Sequence, residues 1–306
     1  MDTPKKLLNR NFFLLWQGQS ISRVGDSLFS VALLFFVKHL TGSATIVGLI
    51  QMASTLPGVV LGPIGGTYAD RQSRRKILIF CDVINGVAVI GLAAASFLMP
   101  EATNLLVIFI FVIATVISII NAFFGPAISA SIPDLVSKER INSANSMSQM
   151  SSQLALFIGQ GVGGTLFRLF GAPLLFLVNG VSYLFAAISE TFVSIPQIIP
   201  QKSKGWREQM QEFKTDTING FHYVWKRSGL RTLVLVSAFL NFLSVPIIVL
   251  LPFFVEDTLK TSVDWYGFIV AAAGLGSLLG FVFTGLIQIK GKTRGWMMLF
   301  FIILES

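Results

Sequence analysis

Two runs of this chain, roughly 45–63 and 77–99, are each long and apolar enough to cross a bilayer. Between them stand five charges in seven residues: Asp70, Arg71, Arg74, Arg75 and Lys76. A helix needs about 20 apolar residues to span the hydrocarbon core, and charge at this density between two such runs belongs at a membrane surface. Four cations against one acid mark that surface as cytoplasmic. With this loop inside, the side of every other loop follows.

Only 12% of the residues are charged and 53% are hydrophobic, with a mean hydropathy of +0.74. Soluble domains carry about 25% charged residues, so the balance is that of a membrane protein. The net charge of +8 therefore reads as membrane topology, and nucleic acid is not an expected partner. One cysteine, Cys81, lies inside an apolar run, which excludes a disulfide framework or a thiolate metal cluster. The 27 glycines and 28 phenylalanines suit close helix packing and lipid-facing bulk.

Taken in order, the first apolar run is 12–37, too long for a signal-peptide core and without a small-residue cleavage site. The second span is about 45–68, the third 77–99, and the fourth 105–130, with a kink expected at Gly125-Pro126. A fifth span covers 147–167 and a sixth 174–195. Residues 196–231 form the longest polar stretch, where Trp206, Met210, Phe213, Ile218, Phe221 and Trp225 recur at roughly helical spacing. An amphipathic helix on the inner membrane surface is expected there. A seventh span (232–255) and an eighth (265–289) follow, and a ninth begins at Trp296. With the N-terminus inside, nineteen Lys and Arg fall on the inner side, and Lys38, Arg168 and Lys260 on the outer. That bias supports the topology.

An internal repeat is also visible. Leu33-Leu-Phe-Phe-Val-Lys38 matches Leu251-Pro-Phe-Phe-Val-Glu256, with Gly48 falling against Gly267 and Gly66 against Gly285. Spans one and two thus resemble spans seven and eight, as in a transporter built from two parallel halves.

The stretch Gly66-x-x-x-Asp70-Arg71-x-x-Arg74-Arg75 resembles the signature loop of the major facilitator superfamily, usually G-x-L-A-D-R-x-G-R-K. Here Tyr68 replaces the Leu and Ser73 the second Gly. Asn11-Phe-Phe-Leu-Leu-Trp16, Gly25-Asp26-Ser-Leu-Phe29, Asn121-Ala-Phe-Phe-Gly-Pro126, Ile132-Pro-Asp-Leu135 and Leu250-Leu-Pro-Phe253 are similar to the branch of macrolide, multidrug and enterobactin-type siderophore exporters. The resemblance implies an all-α integral membrane protein with the major-facilitator fold. Its N-terminal six-helix bundle (1–195) would be complete, followed by a cytoplasmic linker (196–231). A partial C-terminal bundle (232–306) would hold helices seven, eight and the start of nine. Against a family pattern of twelve helices the chain reads as C-terminally truncated.

In the family the acid at the position of Asp70 braces one transport state against the partner half. Arg71, Arg74 and Arg75 add charge pairs and lipid anchoring, though topogenic charge alone also accounts for Arg75 and Lys76. Gly66 is expected to let span two approach a neighbour closely. Gly159, Gly163 and Gly164 in span five resemble the antiporter motif G-P-x-x-G-G, with Gln160 where the Pro belongs.

Ionisable groups inside spans are functional candidates by default. Arg23 and Asp26 are three residues apart on span one. Asp26 is read either as a proton-responsive or cation-recognising carboxylate of the cavity, or as half of an Arg23–Asp26 structural pair. Glu190 in span six is a second cavity candidate, or a group near the headgroups. Asp82 is expected to face the signature loop.

No phosphate loop, metal-spaced cluster or nucleophile set is present, so neither an enzyme nor a cofactor is expected. The resulting expectation is a bacterial inner-membrane secondary transporter, coupled to protons and exporting amphipathic drugs or a siderophore as an antiporter conferring antibiotic resistance. Its partners would be a small amphipathic substrate, protons and the lipid bilayer, with a monomer favoured. A nutrient importer of the same fold and a non-transporting remnant are the alternatives.

Overall fold

In a membrane every backbone polar group must find its partner inside the chain, and long apolar runs do this as helices. The computed structural model describes residues 7–197, 211, 214–215, 218–219 and 222–286, and the elements among them are helical. They are α1 (Arg10–Thr41), α2 (Ala44–Arg71), α3 (Arg74–Leu98), α4 (Thr103–Leu135), α5 (Ile141–Thr191), α6 (Ser228–Phe253) and α7 (Asp264–Leu286). A 3-10 turn at Lys138–Arg140 precedes α5, and a π-turn at Phe254–Thr258 follows α6. Among the described residues, six helices are long and apolar enough to cross a membrane. The expected ninth span and most of the amphipathic segment at 196–231 lie outside the described residues.

Helix boundaries are set by caps as well as by hydropathy. Asn9 Oδ1 accepts from the Phe12 amide at 3.1 Å, and Ser43 Oγ from the Ile46 amide at 3.4 Å. Gly42, at φ 61°, closes α1 by sending its N–H to the Lys38 carbonyl. Most of the helices therefore run past the apolar stretches that announce them. Helix α4 continues through Pro126 and Pro133 to Leu135, beyond the expected end.

The expected fifth and sixth spans are two limbs of α5, separated by a single residue. Gly171 sits at φ 73° and ψ 168°, a conformation open to glycine and strained for any L side chain. The limbs 141–170 and 172–191 run in opposite directions, as their contacts with α1 demonstrate. Gly159 and Gly163 meet Ser27 and Val31, so the first limb is parallel to α1. On the second limb, Asn179 meets Gly25 and Ala186 meets Gly18, so it is antiparallel. Helices α2 and α4 run parallel, Gly58 against Ser118 and Gly65 against Ala122. Helix α7 runs against the first limb of α5, Gly267 meeting Gly161 and Gly274 meeting Phe157.

The interior has two apolar clusters. One, around Phe12, Leu15, Leu78 and Leu135, lies at the end bearing the signature loop. The other, around Val31, Phe35, Leu92 and Phe176, lies toward the opposite end. There Phe35 meets Tyr266 of α7 edge-on at 5.2 Å, joining the first six spans to the last two. Large apolar side chains such as Val59, Leu98 and Phe242 face outward, as a lipid-facing surface requires.

Candidate functional site

A cavity of about 430 Å³ opens among the spans, within the usual range for a small-molecule site. Its walls mix apolar side chains, with Leu34 of α1, Ile50 of α2 and Ile248 of α6 among them, with polar ones. The polar lining comprises Asp26, Gln51, Asn121, Gln160, Tyr183 and Tyr266 together with the hydroxyls of Ser30, Ser54 and Thr55. Asp26 is half-buried and is the one carboxylate in this lining.

The local packing explains how Asp26 is presented. A Cβ on Gly25 would stand 2.5 Å from both Asn179 Oδ1 and Ser182 Oγ, so the neighbouring glycine lets α1 settle on the second limb of α5. That contact brings Asp26 against the limb, where its Oδ1 accepts hydrogen bonds from Asn179 Nδ2 at 3.3 Å and from the Tyr183 hydroxyl. Asn179 and Tyr183 are four residues apart and present one helical face. Of the two readings of Asp26, the Arg23–Asp26 ion pair does not form. Arg23 Nη1 instead donates to the Ser148 carbonyl at 2.8 Å and approaches Ser151 Oγ at 3.5 Å, because its long stem reaches the first limb of α5.

The span-five glycines lie on two contacts. A Cβ on Gly159 would fall 2.1 Å from Ser27 Cβ, and one on Gly163 would crowd Val31 at 3.1 Å. Gly164 faces α7 instead, 2.5 Å from the Val263 carbonyl. Gln160, standing where the motif has proline, lines the cavity.

Glu190 is not in the cavity. It is 1% exposed and accepts from Gln19 Nε2 at 2.8 Å, and the same nitrogen donates to Asp82 Oδ2 at 3.2 Å. Asp82 therefore turns to Gln19 rather than to the signature loop, the Gln19 side chain reaching it from α1 beside Glu190.

In the signature loop, Arg74 is the hub. Its Nη1 donates to Asp134 Oδ2 at 2.5 Å and to the Ala130 carbonyl at 2.9 Å, while Nη2 reaches Asp70 Oδ1 at 3.3 Å. Arg75 donates to the carbonyls of Glu190 and Thr191 at the end of α5. These bonds tie the loop to its own six spans. Residues 290–294, which the repeat sets against it, lie outside the described residues. The close approach expected at Gly66 belongs to Gly65. A Cβ there would stand 2.0 Å from the Ala122 carbonyl, whereas at Gly66 the nearest atom is Pro126 Cβ at 4.0 Å. One residue turns a helix by about 100°, which moves the contact to the preceding glycine.

The opposite end carries the charged contacts to the last two spans. Lys38, 6% exposed, donates to Glu256 at 2.6 Å, Asp257 at 3.1 Å and the Pro252 carbonyl at 3.1 Å. His39 lies 3.1 Å from Glu256, and Arg168 pairs with Asp264 at 2.9 Å. With Phe35 against Tyr266 beside them, these pairs bridge the two sets of spans at this end.

A cavity between two sets of spans, with a charged loop at one end and ion pairs at the other, is an arrangement compatible with the transporter folds built from two halves. Comparison with known proteins agrees. Residues 4–291 match the family model described as transmembrane secretion effector, of the major facilitator superfamily. Macrolide efflux protein A of Streptococcus pyogenes is 26% identical over 90% of this chain and 66% of its own length. The putative bacilysin exporter BacE of Bacillus subtilis is 30% identical over 68% of this chain and 50% of its own. For the multidrug efflux pump Tap of Mycolicibacterium fortuitum the figures are 24%, 84% and 62%. The chain thus spans roughly two thirds or less of the length of these relatives. This chain is a multi-pass membrane protein that belongs to the transmembrane secretion effector family of major facilitator transporters.

Proposed function

We propose that this protein exports small amphipathic molecules from the cytoplasm in exchange for protons. The observation that carries the reading is Asp26, a carboxylate well inside α1 that faces a cavity of mixed apolar and polar lining. An ionisable group at such depth is costly to keep. It has two natural partners there, a proton or the cationic group of a substrate, and it holds one at a time. That exclusion is sufficient for exchange: proton arrival releases the cation, and cation arrival releases the proton. Tyr183 and Asn179 aim the carboxylate, and the apolar walls supply binding without narrow shape selection. The efflux proteins among the relatives support drug-like substrates such as macrolides.

Topology decides which end is the outer gate. The charge bias supports a cytoplasmic N-terminus in a bacterial cell membrane. The Lys38 and Arg168 pairs then form the outer gate. Breaking those pairs, with new contacts forming at the signature loop around Asp70, Arg71, Arg74 and Arg75, gives the other state. Residues 1–195 act as one rocking bundle, 196–231 as the cytoplasmic linker and 232–306 as part of the second bundle.

The test is accumulation of a fluorescent macrolide in a sensitive bacterial host expressing the protein. Expression lowers accumulation, while a protonophore or Asp26→Asn restores it to the level of the empty host. Export by the Asp26→Asn variant at the wild-type rate removes Asp26 from the mechanism. Raised accumulation on expression identifies an importer instead.

A further inference from the structure

Between α1, α3 and the second limb of α5, outside the cavity lining, lies a second set of buried ionisable groups. Asp82 and Glu190 are each 1% exposed, and Gln19 is 5% exposed. The Gln19 side-chain nitrogen lies 3.2 Å from Asp82 Oδ2 and 2.8 Å from Glu190 Oε1. An amide nitrogen carries two hydrogens, and here each acid takes one. The bridge is therefore neutral and donor-only, so the space between the acids suits no metal ion. Glu190 Oε2 is buried and has no hydrogen-bond partner among the described residues.

The surrounding charges offer little compensation. On α1, Arg23 is engaged with Ser148, and Asp26 is bonded to Tyr183 and Asn179 on the cavity side. On α3, the Cys81 thiol beside Asp82 points to the Ile120 carbonyl at 3.8 Å. On α4, Asp134 is held by Arg74. Arg75 is bound to the backbone carbonyls of Glu190 and Thr191 and not to the carboxyl oxygens. Two carboxyl groups that meet at one amide in a low-dielectric interior, with no cation on their oxygens, disfavour a second negative charge, and the unpartnered Glu190 Oε2 offers a place for a proton.

We propose that Asp82 and Glu190, bridged by Gln19, form a proton-binding site separate from Asp26, and that Arg75 of the signature loop is the cation that responds to its occupancy. When the proton is present the pair carries at most one negative charge, and Arg75 stays on the helix-end carbonyls. When the proton leaves to water, both acids are anionic and attract the guanidinium from the adjacent turn. Loading and unloading of this site thereby reach the loop whose contacts distinguish transport states. Proton binding at the pair does not depend on the export reading, whereas its consequence for the loop rests on that reading.

The experiment is an infrared pH titration of the purified protein in lipid, following the C=O stretch of protonated carboxyl groups. Wild type is expected to show a buried carboxyl band at neutral pH. The band persists in Asp26→Asn and falls to no more than the Asp26 contribution in Asp82→Asn/Glu190→Gln, a near-isosteric double variant whose helix content is checked by circular dichroism. Should the double variant fail to fold, the single variants serve, each shifting the band. Arg75→Gln removes the responding cation, so its band persists to higher pH than in wild type. A band absent from wild type, or one lost in Asp26→Asn and kept in the double variant, overturns the proton site. Identical titration of Arg75→Gln and wild type overturns the role of Arg75. Loss of export in Asp26→Asn is scored separately, so failure of the export reading and failure of this site are distinguishable.

Discussion

Replacing Lys38 by Glu attacks the outer closure at its most buried point. Lys38 is 6% exposed and Glu256 20%, with 2.6 Å between their charged atoms. Reversing one charge leaves Glu256 opposed by another acid, with His39 as its remaining neighbour. Breaking a buried pair by changing one partner costs about 3–5 kcal/mol. The Asp257 contact, with that acid 61% exposed, adds little. In the alternative state both groups are in water, so the loss falls on the closed state alone. Taking about 3 kcal/mol, and about 1.4 kcal/mol per tenfold change, the ratio of closed to open molecules falls about a hundredfold. The assay is the rate at which a cysteine placed at Ser54, on the cavity wall, reacts with a membrane-impermeant maleimide applied from the Lys38 side. The native Cys81 is 4% exposed and is replaced by Ser to remove background. Lys38→Glu is expected to speed labelling by one to two orders of magnitude, and adding Glu256→Lys to slow it again. Labelling of Lys38→Glu at the wild-type rate, or a double reversal that labels as fast as the single one, would refute the gate.

Other consequences are smaller in scope. Gly65→Ala is expected to destabilise the protein by about 1–3 kcal/mol through its clash with the α4 backbone, while Gly66→Ala is nearly neutral, as read by thermal unfolding in detergent. Gly171→Ala forces a side chain into a glycine-only conformation at a cost of about 1–3 kcal/mol, and the same unfolding assay should register it as a lowered Tm. Arg74→Lys keeps the charge but loses the planar fork that serves Asp70, Asp134 and the Ala130 carbonyl at once. It should therefore lower the export rate nearly as much as Arg74→Ala, and rescue by lysine would count against the hub.

The spans were legible because lipid leaves a chain few options, and uninterrupted apolar runs declare themselves. The signature loop was legible because charge cannot hide between such runs. What escaped was rotational. Gly65 and Gly66 are adjacent and identical, and which one meets α4 depends on how α2 is turned. Arg23 and Asp26 share a face by spacing, yet the arginine stem carries its charge to Ser148 while Asp26 turns to Asn179 and Tyr183. Tyr183 carries no mark in the sequence beyond its place one helical turn after Asn179. Glu190 was separable from the cavity only once α1 was in place to deliver Gln19 between it and Asp82.

The contact between Lys38 and Glu256 joins the last residues of the two matching hexapeptides, Leu33–Lys38 and Leu251–Glu256. On the repeat read from the sequence these two residues correspond, and corresponding points of two similar halves meet only beside the axis that relates them. Two identical halves would bring lysine against lysine there, or glutamate against glutamate, and the end would be forced apart. Closure at this point requires the halves to be unlike. The asymmetry that lets the protein shut one face is therefore concentrated in a single exchange of charge between otherwise similar sequences.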